Sequence, residues 1–210
     1  MKKIWVIGFW SGLIAFSATV AYCIVQLLQV FHILHFPADE ILIYGTSLCI
    51  VIPFMIEILA LHYTTPVERR FWTHGALAFT IIYAVFVTAN YVVQLATVIP
   101  MKLKGAANEI RVLEQTPHSL FWDFDAIGYI FMGLAMLFAI PSFKKHGFHK
   151  WVRLAFLANG LVTPLITIVY FYPNYSNQLL MLGLPWVITA PLAMFMLALL
   201  FKKGNAMING

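Results

Sequence analysis

Six stretches of the chain are apolar for about 20 residues or more, and polar side chains recur inside them at helical spacing. They run over about Ile4–Phe31, Ile41–His62, Trp72–Ile99, Ser119–Ile140, Trp151–Tyr172 and Gln178–Phe201. A helix needs roughly 20 apolar residues to cross the hydrocarbon core of a bilayer, so the pattern predicts six transmembrane helices. In the first stretch the small and polar positions are Gly8, Gly12, Ala15, Thr19, Tyr22, Gln26 and Gln29. In the third they are Thr73, Ala76, Thr80, Tyr83, Val87, Asn90, Gln94 and Thr97. Residues three and four apart share one helix face, and lipid offers polar groups no partners. The stripes therefore face inward, and the expected fold is an all-α, polytopic membrane bundle, one six-helix domain over residues 1–210 with a partly polar interior.

The links between the stretches are short. Phe36-Pro37-Ala38-Asp39-Glu40, Thr64-Thr65-Pro66 and Tyr172-Pro173-Asn174 turn the chain back on itself. The longer link, from Pro100 to His118, holds Asn108–Gln115, where apolar Ile110 and Leu113 alternate with charged residues, and a short surface helix is expected there. Ser119 is placed to cap the fourth helix. Pro53, Pro164, Pro185 and Pro191 fall within spans and predict kinks.

Composition agrees with this pattern. The 210 residues are 62% hydrophobic and only 10% charged, against about 25% charged in soluble domains. The formal charge of +5 is unevenly placed. Lys2, Lys3, Arg69, Arg70, Lys144, Lys145, Lys150, Arg153, Lys202 and Lys203 flank one set of connections, and only Lys102, Lys104 and Arg111 flank the other. Cations concentrate in cytoplasmic loops, so both termini are expected in the cytoplasm and the chain in a bacterial inner membrane. The same cations would touch anionic membrane lipids, and no nucleic-acid partner is expected. Met-Lys-Lys and the long apolar run after it are read as a retained first helix rather than a cleaved leader. Cys23 and Cys49 are expected as small fillers, with a disulfide between the first two helices as the alternative.

Two groups of residues carry candidate chemistry. Glu57 sits within the second helix, on a face shared with Thr46, Cys49, Pro53, Ala60 and Thr64. A charged acid near the bilayer centre costs about 2.5–3.5 kcal/mol on insertion scales. It is either a proton- or cation-coupling group, with Asn159 expected at the same depth, or a protonated hydrogen-bonding link between helices. Toward the outer side, Tyr22, Gln26, Gln29, Asn90, Gln94, Asp123 and Asp125 outline a ligand-binding pocket rich in amides. Asp123 and Asp125 are two apart, so only one can face the core. In the fifth helix Asn159, Thr163, Thr167 and Tyr170 would extend a polar track. No spacing of histidines or cysteines suggests a metal or a cofactor, and none is expected. Gly8 and Gly12 form a close-packing pair, a face for packing within the bundle or for a partner subunit or second copy.

The segment from Pro117-His118-Ser119-Leu120-Phe121-Trp122 through Gly128-Tyr129-Ile130-Phe131-Met132-Gly133-Leu134-Ala135, with Asn90-Tyr91 and Gln94 before it, resembles uncharacterised small multi-pass bacterial membrane proteins. That resemblance implies no activity. In size, helix count and inward termini the chain is also similar to substrate-binding subunits of energy-coupling-factor vitamin transporters, in which small residues stand near the Gly8/Gly12 position for docking; no vitamin-binding motif matches.

Three functions fit these observations. The first is binding of a small polar molecule or ion in the bundle core, with or without its translocation. The second is a non-enzymatic interaction, sensory or immunity subunit. The third is an intramembrane enzyme acting on lipid or quinone, using His118, Asp123 and Asp125.

Overall fold

The computed structural model describes residues 2–209. It is 83% helix, and among the described residues there is no strand. Six helices are long and apolar enough to cross a membrane: α1 (Lys2–Val30), α2 (Ala38–Thr64), α3 (Val67–Leu103), α4 (Leu120–Ser142), α5 (Phe148–Phe171) and α6 (Gln178–Gly204). Each packs on its neighbour in sequence, and α1 closes onto α6, so the six form a ring.

The ring has the polarity of a lipid-embedded bundle. On α1, Ala15 and Thr19 are 0% exposed, whereas Trp10 is 56% and Ile14 52% exposed. Outward apolar and inward small or polar side chains are what hydrocarbon selects, because in lipid close packing and hydrogen bonds, not hydrophobic burial, hold helices together. Glycines mark the tightest crossings. A Cβ on Gly8 would lie 2.8 Å from the Phe201 ring, one on Gly128 would strike Val87, and one on Gly133 would strike Thr163. The Gly8/Gly12 face is therefore filled within the chain, by α6 against Gly8 and by α2 and α6 against Gly12.

Contacts at the two ends of the ring fix the topology. Trp5 meets Phe201 with ring centroids 5.8 Å apart, Lys203 Nζ lies 3.9 Å over the Phe148 ring, and Arg69 donates to the Ser142 carbonyl at 3.5 Å. One end thus gathers the amino terminus, the α2–α3 and α4–α5 turns and the close of α6. At the other end Gln29 donates to Asp39 at 3.0 Å, and Lys102 bridges Glu40 at 3.1 Å and Glu114 at 3.8 Å.

Local structure departs from the sequence pattern in four places. The surface helix expected over Asn108–Gln115 is absent; the link holds a 3-10 turn at Ala107–Glu109, and Ile110 is buried instead of lying flat on a surface. α3 runs on to Leu103 through a π turn at Gln94–Val98. α6 opens irregularly, with a single turn at Asn177–Leu180, a 3-10 turn at Met181–Gly183 and regular helix only from Trp186. Pro185 lies just ahead of that regular helix, where a missing N–H is tolerated, so it marks a start and not an internal kink. The two cysteines are free, with Cys23 buried and Cys49 exposed, so the alternative of a disulfide does not hold.

Candidate functional site

The site is built around one acid in the half of the ring away from the α2–α3 and α4–α5 turns. Ser119 caps α4, its hydroxyl accepting from the Trp122 N–H at 3.2 Å. Successive helix residues turn by about 100°, so of Asp123 and Asp125 only one can point into the core, and it is Asp125, 3% exposed. Its Oδ1 accepts from the Tyr91 hydroxyl at 2.5 Å and from Asn90 Nδ2 at 3.4 Å. Its Oδ2 accepts from the Tyr170 hydroxyl. The Tyr91 hydrogen is thereby committed, so the Tyr129 hydroxyl, 3.2 Å away, donates to the Tyr91 oxygen. A buried carboxyl without partners is costly; here α3 and α5 together bring three donors to it.

Around this acid each of the six helices contributes one aromatic side chain. Tyr44 of α2 stacks on Tyr91 of α3, centroids 5.3 Å apart. Tyr129 of α4 meets Trp186 of α6 at 5.1 Å, and Tyr22 of α1 meets the same indole at 5.7 Å. Tyr170 of α5 completes the layer through its bond to Asp125. Between α1, α4, α5 and α6 the layer borders a half-open cavity of about 210 Å³. Tyr22, Gln26, Tyr129, Tyr170 and Trp186 line it, with apolar residues such as Leu184 from the irregular start of α6. The buried Trp186 Nε1 has no hydrogen-bond partner.

The other expected site residues fall elsewhere. Gln29 is spent on Asp39, joining α1 to α2. Gln94 projects from the π turn toward the α3–α4 link, donating to the Leu113 carbonyl at 2.8 Å and accepting from the Gln115 N–H at 3.3 Å. It holds the link down, and Gln115 Oε1 in turn accepts from Asn90 at 3.0 Å. Replacing Gln94 by leucine removes both anchors, and the backbone amide of Gln115 is expected to exchange with deuterium at least about tenfold faster, as opening loses roughly 1.5 kcal/mol of hydrogen bonding. An unchanged rate would show that the link is held without Gln94.

Glu57 is fully buried in the other half of the ring, and neither carboxyl oxygen has a hydrogen-bond partner. It shares its inward face with Ile50, Phe54, Ile58 and Leu61, not with Thr46 and Cys49, since Cys49 is exposed. It packs on Gly12. Asn159 does not lie level with it. Asn159 accepts from Thr189 of α6 at 3.1 Å and donates to Met136 Sδ at 3.0 Å. Glu57 lies beside Gly12, which itself abuts Ala198, nine residues or about 14 Å further along α6. The polar track expected along α5 is therefore divided: Thr167 bonds the Thr163 carbonyl of its own helix, while Tyr170 serves Asp125 and Asn159 serves Thr189.

Tyr44, Tyr91 and Trp186 were not among the residues singled out from the sequence. The available signal was position: tyrosines at the interface of a bilayer are ordinary, but Tyr91 falls well inside its span, beside Asn90 on the polar stripe.

No protein-family model matches the chain, and neither a curated protein nor a solved structure matches it.

Proposed function

We propose that this chain is a multi-pass protein of a bacterial inner membrane, both termini cytoplasmic, that binds a small organic cation in the aromatic-lined cavity beside Asp125. The observation that carries this reading is the orientation of the hydroxyls. Tyr170 gives its hydrogen to Asp125 and Tyr129 gives its own to Tyr91, which leaves the oxygens of these two cavity-lining residues as acceptors, made more negative by the chain of bonds behind them. Aromatic faces carry negative potential and attract ammonium groups within about 6 Å. Tyr22, Tyr129, Tyr170 and Trp186 supply four such rings around one space. A cavity of about 210 Å³ corresponds to about seven waters of liquid volume, so the ligand is small. Its lining is mostly apolar, so the ligand joins an apolar body to a donor or cationic head.

Gln26 separates binding from folding. Among the described residues its side chain makes no hydrogen bond, yet it lines the cavity. Gln26→Leu is expected to weaken ligand retention about tenfold, the loss of one hydrogen bond to a charged group, while moving the thermal midpoint by no more than about 2 °C. Native mass spectrometry of protein released gently from detergent reads this directly, as an extra mass in the wild type that is depleted in Gln26→Leu. An extra mass equally retained by the variant would place the ligand elsewhere.

Translocation is a further step in the same proposal. Glu57, buried without a partner, is the group suited to couple a proton or cation to that movement, because its charge could change only with a rearrangement of α1, α2 and α6 around it.

A further inference from the structure

The end of the ring that gathers both termini carries a second cleft, of about 690 Å³. Five side chains on its wall are basic: Arg69 from the start of α3, Lys144, Lys145 and His146 from the α4–α5 turn, and Arg153 from α5. Two of them are fixed in place by main-chain carbonyls. Arg153 donates to the carbonyls of Ile140 at 3.2 Å and Phe143 at 3.3 Å, and Arg69 reaches that of Ser142. Each of these bonds uses one terminal nitrogen of a guanidinium that carries five donor hydrogens in all.

Among the described residues no carboxylate pairs with this wall, and the acid nearest in sequence, Glu68 beside Arg69, is not part of the lining. The ion pairs among the described residues are those of Lys102 with Glu40 and Glu114, at the opposite end. Four permanent cations around one cleft therefore stand without an ion-pair partner among the described residues, and a cleft walled by one sign of charge concentrates ions of the other. The cleft is also lined by Trp72, Pro141 and Phe143, with Phe143 2% exposed, so an apolar surface adjoins the cations. Trp72 and Trp151, near the ends of their helices, are partly or well exposed, as side chains at a membrane surface are.

We infer that this cleft is a binding site for a phosphate group, whose tetrahedral oxygens suit the planar fork of arginine. The group reaches it either as the headgroup of an anionic phospholipid or as a free phosphate. The site is separate from the cavity beside Asp125 and does not depend on the function proposed for it.

Two arms distinguish the sources. In mixed micelles of phosphatidylglycerol and phosphatidylcholine, native mass spectrometry counts retained lipids. In lipid-free micelles, equilibrium dialysis measures binding of radiolabelled inorganic phosphate. Lys144 and Lys145 are exposed, so Lys144→Gln with Lys145→Gln leaves packing intact, and Lys2→Gln with Lys3→Gln removes equal charge from the same end outside the cleft. A lipid occupant predicts selective retention of phosphatidylglycerol, falling about fivefold for each cleft cation removed and unchanged in the Lys2/Lys3 control. A soluble occupant predicts saturable phosphate binding with the same dependence and no lipid selectivity. Absence of both, or equal losses in the control, overturns the site and leaves only diffuse surface charge.

Discussion

Asp125→Ala is expected to lower the thermal midpoint by about 10 °C and to eliminate ligand binding. The carboxyl is the shared acceptor of Tyr91, Tyr170 and Asn90. Its removal leaves three donors in the interior of the bundle without that acceptor. Interhelical hydrogen bonds in membranes average about 0.6 kcal/mol, because separated helices find other partners, which sets a floor of about 2 kcal/mol for three. Unsatisfied buried donors cost about 1–3 kcal/mol each, which sets the ceiling near 9 kcal/mol. Tyr91 is held by stacking on Tyr44 and cannot turn away freely, so an intermediate loss of about 4 kcal/mol is expected, roughly 10 °C for a chain of this size. Asp125→Asn keeps an acceptor oxygen and is expected to lose less than half as much stability, yet to bind the cation far more weakly. Thermal unfolding followed by tryptophan fluorescence checks the first part. A fall below about 2 °C for the alanine variant would mean that the aromatic layer stands without the acid.

Glu57 should behave in the opposite way. Because neither of its oxygens is hydrogen-bonded, Glu57→Leu is expected to leave stability unchanged or to raise it by about 1 kcal/mol, as when buried charged groups give way to apolar side chains of similar volume. Had the acid been a hydrogen-bonding link between helices, the same change would destabilise the protein. The contact with Gly12 provides a second, independent test. A Cβ at position 12 would overlap Glu57 Oε1 and approach the Ala198 Cβ to 2.9 Å, so Gly12→Ala is expected to cost about 1–3 kcal/mol through overpacking. Adding Glu57→Ala should recover about 1 kcal/mol of that, the coupling typical of residues in contact. Additive losses in the double variant would place the two side chains apart. If Glu57→Leu is stable but abolishes ion-dependent uptake, the acid is retained for function at the expense of stability.

What could be foreseen from sequence followed from what the bilayer dictates. Hydrocarbon thickness sets the length of a span, so six helices were legible to within a few residues at most ends, and the α1 and α3 stripes do face inward: Thr19, Thr80 and Asn90 are each 0% exposed. Other features depend on how the helices tilt and turn against one another. The inward face of α2 is set by Ser47, Ile50, Phe54 and Leu61, a mixture without polar periodicity, so Glu57 alone could not orient it. Asn159 lies deeper than the apolar run suggests because α5 begins at Phe148, three residues ahead of Trp151. Gln94 looked like a ligand group because an amide on a polar stripe is the same letter whether it meets a ligand or a loop; the π turn that aims it at Leu113 and Gln115 leaves no mark in the sequence. Asp125 was legible as one of two acids, with Asn90, Tyr22 and Tyr170 among the polar positions, while Tyr44, Tyr91 and Trp186 were not, since the six aromatics converge only when the ring closes.

The central claim, that the space beside Asp125 prefers a cation on an apolar body, is tested most directly by calorimetric titration of the detergent-solubilised protein with three probes of one shape: benzylammonium, benzyl alcohol and benzoate. Aromatic faces and hydroxyl acceptors predict saturable binding of benzylammonium at least about tenfold tighter than the alcohol, a difference of roughly 1.4 kcal/mol, with benzoate weakest. Equal affinities would reduce the cavity to an apolar void, and preferred binding of benzoate would contradict the account.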